Sequence, residues 1–502
     1  MPAAFDAIVI GAGQNGLALA LRLQRAGLKT LVVEAAPTVG GMARSEAAPA
    51  PGFLHNPHAN YLAYGAISPI EREFDLAGEG LVTVTPSAQH GLAFADGRPP
   101  LILHRRDLID RSVASLAAFS KSDAEVWRGL STCVKELDPL MGASLYAPAS
   151  RAMGERQIDA AGRVFGRAVG QLSARAVIDS LFAADEVRTL FYQLAAETGL
   201  LPEAPGSAVG FLTFTLWLVG QWRLPVGGMQ AYAEALSAAA RREGVEILLR
   251  ARVDRILMSG DRAIGVKVGG HGRILARRAV ASSAGLASTL LHFLPQSVLS
   301  AADRAAAQAY AAQDGPSLGV LAVALAERPR YRSARWDPQI DRCFRTVIGY
   351  EDSAATLAHL REIEAGLLPP PSAALRINSL WDGAQAPAGC HVAGGDVLMP
   401  GPSALDAPSW RAVGEAFLPA FFDLWSRYAP NITADTVIAA SFEPPQTYDR
   451  FIQLREGTDQ YRTGVRGLYL CGASTFPGGG VHGACGHNAF DAMAEDLALG
   501  IS

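Results

Sequence analysis

Three glycines, Gly11, Gly13 and Gly16, stand in the order G-x-G-x-x-G, with Ala12, Gln14 and Asn15 between them. They follow a short apolar run, residues 5–10, and precede residues 17–26, whose apolar positions recur at helical spacing. Such a turn suits phosphate chemistry. The first glycine lets the chain reverse tightly, the second lets bare backbone approach a pyrophosphate, and the third lets helix pack close to strand. The helix that follows offers unpaired N–H groups and the positive end of its dipole. Glu34 closes the next apolar run, residues 30–33, and Ala35 follows it. A carboxylate at that point accepts hydrogen bonds from a ribose 2′-hydroxyl and repels a 2′-phosphate. The pattern points to a dinucleotide that lacks a 2′-phosphate.

Two further stretches narrow the ligand. Gly40-Gly41-Met42-Ala43-Arg44 brings a second bare turn and a guanidinium suited to phosphate oxygens. Near the other end of the chain, Gly472-Ala473, Gly479-Gly480-Val481 and Gly483 leave the main chain bare between a strand-like run, residues 467–470, and a helical one, residues 488–499. A flat, bulky ring can lie against such backbone, with helix N–H groups at one edge. An isoalloxazine has that shape, so the expected cofactor is FAD. No second G-x-G-x-x-G is placed between strand and helix, so a separate NAD(P) domain is not expected.

For proton transfer the candidates are His58, in His55-Asn56-Pro57-His58, and His482. Each could equally do no more than satisfy a backbone group. Cys471 and Cys485 read as small packing residues. Phe211, Phe214, Trp217 and Trp222 read as core, with the lining of a tunnel for a flat apolar substrate as the alternative. No metal site is expected.

These residues need elements to hold them. The opening is strand, glycine turn, helix, strand, which begins an α/β fold. Residues 105–200 read as mostly helical. Gly227-Gly228 precedes a helix over 230–243, and strands follow at 245–249, 253–258 and 263–268. The expected cofactor domain is discontinuous, residues 1–75, 225–290 and 455–502. The expected substrate domain is 76–224 and 291–454.

The chain has 502 residues, 49% of them hydrophobic, and a net charge of −4. That balance disfavours nucleic acid as a partner. Five cysteines without a C-x-x-C suggest neither disulfides nor zinc, and no basic leader precedes the first apolar run, so a cytoplasmic location is expected. The longest apolar stretch, residues 208–222, is shorter than a membrane span and reads as a buried helix or pocket wall.

The motifs together resemble the phytoene desaturase and carotenoid oxidoreductase group of the amine-oxidase-like flavoproteins. The resemblance rests on Gly11-Ala12-Gly13-Gln14-Asn15-Gly16-Leu17, Pro225-Val226-Gly227-Gly228-Met229, residues 245–268 and residues 472–489. It implies a Rossmann-like FAD-binding domain of the GR2 type with an interleaved α+β substrate domain. It also implies one non-covalent FAD, with Val253 at the adenine end. The implied reaction is desaturation, saturation or isomerisation of carbon–carbon bonds in a hydrophobic, isoprenoid or polyene substrate, and peripheral membrane contact would follow from so apolar a substrate. His482 and Cys485 depart from the family pattern, which has a small polar residue and a proline there. Two alternatives share the scaffold: a flavin oxidase of amines or aromatic compounds, and a non-catalytic prenyl carrier like the GDP dissociation inhibitors.

Overall fold

The computed structural model describes residues 5–445 and 461–499, so parts of the expected stretch 455–502 lie outside the described residues. The first strand, Phe5–Ile10, is buried along nearly its whole length, as a central parallel strand must be. It pairs in parallel with Thr30–Val33 on one side and with Gly272–Ser282 on the other. The sheet has seven strands. Glu246–Leu248 lies beyond Thr30–Val33, and Leu468–Leu470 pairs in parallel with the far side of Gly272–Ser282. The Rossmann-type sheet is thus assembled from three separated stretches of chain.

Gly272–Ser282 was not among the sequence expectations, yet it is the strand on which the sheet turns. Its first residues, 272–275, pair antiparallel with Arg262–Val268, and that strand pairs antiparallel with Val253–Ser259. Its later residues run parallel to Phe5–Ile10. Residues 272–275 include Ile274 and Leu275 yet are largely exposed, while residues 279–282 are small and buried. Neither half alone has the alternation or the apolar length that marks a strand in sequence.

The opening helix, Gln14–Arg25, ends in Ala26 and then Gly27 at φ +84°, a left-handed position that glycine fills without strain. The closing helix, Ala484–Asp496, lies against it. A methyl group on Gly486 would stand 1.9 Å from the Asn15 carbonyl oxygen, so the two helix backbones are in direct contact there. Both helices start three or four residues before the sequence spacing suggests, because their first turns, Gln14-Asn15-Gly16 and Ala484-Cys485-Gly486-His487, are made of glycine, small and polar residues without a helical apolar stripe.

The second sheet also has seven strands, in the order Val437–Glu443, Ser317–Leu325, His391–Met399, Ala373–Arg376, Arg345–Ile348, Ala88–Leu92 and Leu101–His104. All its pairings are antiparallel except Arg345–Ile348 with Ala88–Leu92. A helical block from Ile109–Ala117 to Asp185–Glu197 packs beside it. Ser120 starts one of these helices. Its Oγ accepts from the Asp123 N–H at 3.2 Å, which caps Lys121–Lys135, and donates to the Asp123 carboxylate.

The apolar stretch 208–222 becomes Ser207–Gly210, a π-helical turn at Phe211–Thr215, and Leu216–Leu218. Phe211, Trp217 and Trp222 are fully buried. Among the described residues no helix is long and apolar enough to cross a membrane.

Gly486→Ala is expected to destabilise the protein by about 1–3 kcal/mol, the usual cost of overpacking. Gly129→Ala, at an exposed mid-helix position with nothing within 4 Å of the added methyl, should stabilise by about 0.5–1 kcal/mol. Chemical denaturation of the two variants checks both signs.

Candidate functional site

The glycines of the opening turn answer to different demands. A methyl on Gly11 would lie 2.3 Å from Ser283 Oγ, and one on Gly16 would lie 2.1 Å from the Gly11 carbonyl oxygen. Protein packing alone requires both to be glycine. Gly13 is different. A methyl there would meet only Gly40 O and Gly41 Cα, each at 3.9 Å, and φ is −72°. The protein leaves room beside Gly13, at the head of a helix that no side chain caps. Asn15 Oδ1, in the same first turn, is buried without a hydrogen-bond partner. A bare turn, an uncapped helix end and an orphaned amide oxygen together fit a bound pyrophosphate.

Around this turn the other predicted residues gather. The Gly40 N–H donates to the Ala12 carbonyl at 2.9 Å, which sets the second glycine turn directly on the first. Ala43 is buried and Met42 half-buried, while Gly41 is exposed. Arg44 is also exposed, and its Nε stands 3.7 Å from Glu46 Oε2. Glu34 accepts from the N–H groups of Ala12 and Ala36, both at 2.7 Å, so its carboxylate is fixed before any ribose arrives. Ala35, beside it, is exposed. The Ala251 N–H donates to the Glu34 carbonyl at 2.8 Å, which brings Val253 to the same rim.

The C-terminal glycine loop closes over the opening helix through one side chain. Gln14 Nε2 donates to the Gly480 carbonyl, and Gln14 Oε1 accepts from the Gly483 N–H at 2.9 Å. Gly472 packs on the end of the central strand, where a methyl would stand 2.3 Å from the Ser283 carbonyl oxygen. Ser283 therefore fixes Gly11 and Gly472 together, a role with no signal in sequence beyond its small size. Ala473, Gly479 and Val481 are half-buried along the loop, and Ser474 Oγ is buried with no partner.

His482 sits inside this loop rather than facing out of it. Its Nδ1 accepts from the Ala484 N–H at 3.0 Å, which places the proton on Nε2, 3.2 Å from the Gly479 carbonyl. Both nitrogens are committed, and burial lowers its pKa to about 4. In this geometry His482 satisfies backbone groups of its own loop, the reading that stood beside proton transfer in the sequence. His58 is half-buried, and burial, then the charge of Arg44, lowers its pKa to about 4. It is neutral at pH 7. Cys471 and Cys485 are buried thiols, and burial pushes both up, Cys485 to about 12.

Residues that sequence reasoning missed form the wall opposite. Tyr64 meets His482 edge-on, with ring centroids 5.2 Å apart. Along the same segment Tyr61 stacks on Trp222 at 3.8 Å and 7°. His55 lies over the second sheet, where a methyl on Gly394 would come within 3.1 Å of its ring. The segment 55–64 thus spans from the second sheet to the glycine loop.

Under it, His90, Arg345, Arg376 and Gly394 stand opposite one another across four adjacent strands. Cross-strand partners share a face, and Asp396, two residues past Gly394, joins them. Arg345 Nη2 lies 2.8 Å from Glu197 Oε2, and Arg376 Nη2 lies 2.6 Å from Asp396 Oδ2. Burial pushes the Glu197 carboxyl up, but Arg345 and Arg376 outweigh it and hold it below its ordinary range. The signal that could have found this cluster is an arginine within otherwise apolar strand sequences, Phe344-Arg345-Thr346-Val347 and Ala374-Leu375-Arg376-Ile377.

The arrangement defines an FAD-dependent oxidoreductase. The chain belongs to the family of flavin-containing amine oxidoreductases, whose model matches residues 16–361. It is 26% identical to a limonene dehydrogenase chain of Castellaniella defragrans over 99% of this chain and 95% of that protein. It is also 26% identical to a lycopene-forming phytoene desaturase of a Paracoccus species, over 99% of both chains. Among solved structures, an oxidoreductase of Methanosarcina mazei superposes with a TM-score of 0.61 at 18% identity, covering 97% of this chain and 99% of that one.

Gly13→Val is expected to fold normally by circular dichroism yet purify without flavin, because the valine fills space that the protein itself leaves open. Stability should also depend on pH. His55, His58, His482 and His487 have folded-state values lowered from 6.5 to about 3 or 4, chiefly by burial. The unfolded chain therefore binds more protons between those values. The stability these neutral rings contribute is present above pH 6.5 and is lost as pH falls towards 4, which thermal melts across that range will read.

Proposed function

We propose that this protein dehydrogenates, saturates or isomerises carbon–carbon bonds of a substrate whose reacting part is hydrophobic. Bound FAD supplies the hydride-accepting or hydride-donating chemistry. The Gly11–Gly16 turn, Glu34 and the Gly40–Gly41 turn would hold the dinucleotide, and the loop from Gly472 to Gly483 would hold the ring. The observation that carries the reading is the aromatic wall facing that loop. Tyr64 lies against His482, Tyr61 stacks on Trp222, and Phe344 meets both Tyr61 and Trp222 edge-on at 6.3 and 6.1 Å. Such walls orient a flat apolar chain and exclude water from the reacting carbon. The full-length likeness to a limonene dehydrogenase and a phytoene desaturase supports the same substrate class.

Hydride transfer at carbon needs no strong base, which suits a site whose histidines are held neutral. We assign His482 to shaping the glycine loop, and His58 remains the candidate for any proton that must move. The amine-oxidase alternative calls for different substrates, so one experiment separates the two. The purified flavoprotein is mixed anaerobically with limonene, phytoene, geranic acid and benzylamine, and the visible flavin band is followed. Bleaching by at least one of the three alkenes, geranic acid included, and not by benzylamine is expected. Bleaching by benzylamine alone would overturn the proposal.

A further inference from the structure

The wall opposite the glycine loop is aromatic, but its floor is charged. Arg345 and Arg376 are 0% and 1% exposed, and His90 is 0% exposed. Their pairing is incomplete. Arg345 uses Nη2 for both Gln193 and Glu197, leaving Nε and Nη1 without a hydrogen-bond partner. Arg376 uses Nη2 for Asp396, and its Nε and Nη1 likewise make no hydrogen bond. Both ring nitrogens of His90, Nε2 of His55 and Nε1 of Trp222 are also buried without one. On the acceptor side the Asp396 carboxylate is also reached by Asn60 Nδ2, at 3.5 Å, and Glu197 is shared between the two guanidiniums.

Each neutral histidine offers one donor and one acceptor nitrogen, and the guanidinium and indole N–H groups still leave donors in surplus along this row. Trp222 meets His90 edge-on at 4.4 Å and has the Arg345 guanidinium 5.9 Å from its ring centre. Tyr61, half-buried, stacks on the fully buried Trp222 and is the member of this stack nearest to solvent. Buried donors are normally satisfied, and a native cluster that leaves several unpaired asks for an acceptor. A pure hydrocarbon supplies none, and an ammonium would add donors where they already exceed acceptors. A carboxylate is acceptor-only and pairs best with arginine.

We propose that Arg345 and Arg376, with Trp222 Nε1 and His90, bind the carboxylate end of the substrate, so that the substrate is an apolar carboxylic acid rather than a hydrocarbon or an amine. The carboxylate would sit on the second sheet, and the apolar chain would run past Tyr61 and Tyr64 towards the glycine loop. This inference rests on the reading of that wall as the substrate side of the flavin.

The test compares geranic acid with geraniol, which share a carbon skeleton, by titrating each into the oxidised holoenzyme and following the flavin spectrum. Thermal shifts with the same two compounds run in parallel and need no flavin signal. The acid is expected to bind at least about tenfold more tightly than the alcohol, the effect of one good charge-assisted contact. Arg345→Gln should erase that preference while leaving flavin content and geraniol affinity unchanged. Trp222→Phe, which removes one donor and keeps a ring, should reduce the preference several-fold and serves if the arginine variant does not fold. Equal binding of acid and alcohol, no binding of either, or an equal loss for both in the variants would overturn the proposal. If geranic acid raises the melting temperature of the wild type but no alkene or alkenoic acid bleaches the flavin, the carboxylate site stands and the carbon–carbon reading falls. If alkenes bleach the flavin and the acid has no advantage, only the carboxylate site falls.

Discussion

The contact on which the rest depends is the closure of the C-terminal glycine loop onto the opening turn. Gln14 reaches across from the first helix and takes both a carbonyl and an N–H of the loop, at Gly480 and Gly483. Gly486 lets the closing helix touch the Asn15 backbone directly. These contacts join segments more than 460 residues apart in sequence. They also place two helix N-termini, at Gly13 and Gly483, in one region, the second with its Ala484 N–H already taken by His482 Nδ1. A helix dipole acts only within about its first turn, so the two ends can serve one ligand only if the backbones are this close.

The same region shows how one motif can hold three glycines for three reasons. Gly11 and Gly16 answer to Ser283 and to each other, and Gly13 answers to nothing in the protein. The third helix start nearby, at Met229, shows the contrast. Asn56 Oδ1 accepts from the Met229 N–H and Ser45 Oγ from the Gln230 N–H, both at 3.1 Å. Its free N–H groups are satisfied by protein side chains, so it binds the 45–56 segment in place of a phosphate. That segment leads into residues 55–64, and the cap thereby helps fix the wall that faces the cofactor loop.

The wall proposed for the substrate joins two kinds of surface. Aromatic rings from residues 61–64, Trp222 and Phe344 suit an apolar chain, while beneath them the second sheet sets Arg345, Arg376 and Asp396 against Glu197 of the helix Asp185–Glu197. Taking such charges out of water is costly, and breaking one buried pair typically costs about 3–5 kcal/mol. A fold that needed only an apolar tunnel would be more stable with apolar residues in that row.

Much of the cofactor site could be read from the chain alone. Gly11, Gly13, Gly16 and Glu34, the residues proposed to hold the dinucleotide, lie within one βαβ unit, where spacing along the chain is spacing in the structure. The glycine loop at 472–483 was recognisable for the same local reason. The side chains of Arg44 and His482 take partners the sequence does not show: Glu46 for one, the loop's own backbone for the other. The strand Gly272–Ser282 escaped because it is half exposed and half buried. The row of His90, Arg345, Arg376 and Asp396 is marked in the sequence only by arginines inside apolar runs, and its assembly is not legible there, since the parallel pairing of Ala88–Leu92 with Arg345–Ile348 joins strands far apart in the chain. Sequence determined the cofactor, because a phosphate turn is a short-range object. Tertiary structure decided the substrate wall, because strand pairing and register are set by long-range packing that no local spacing encodes.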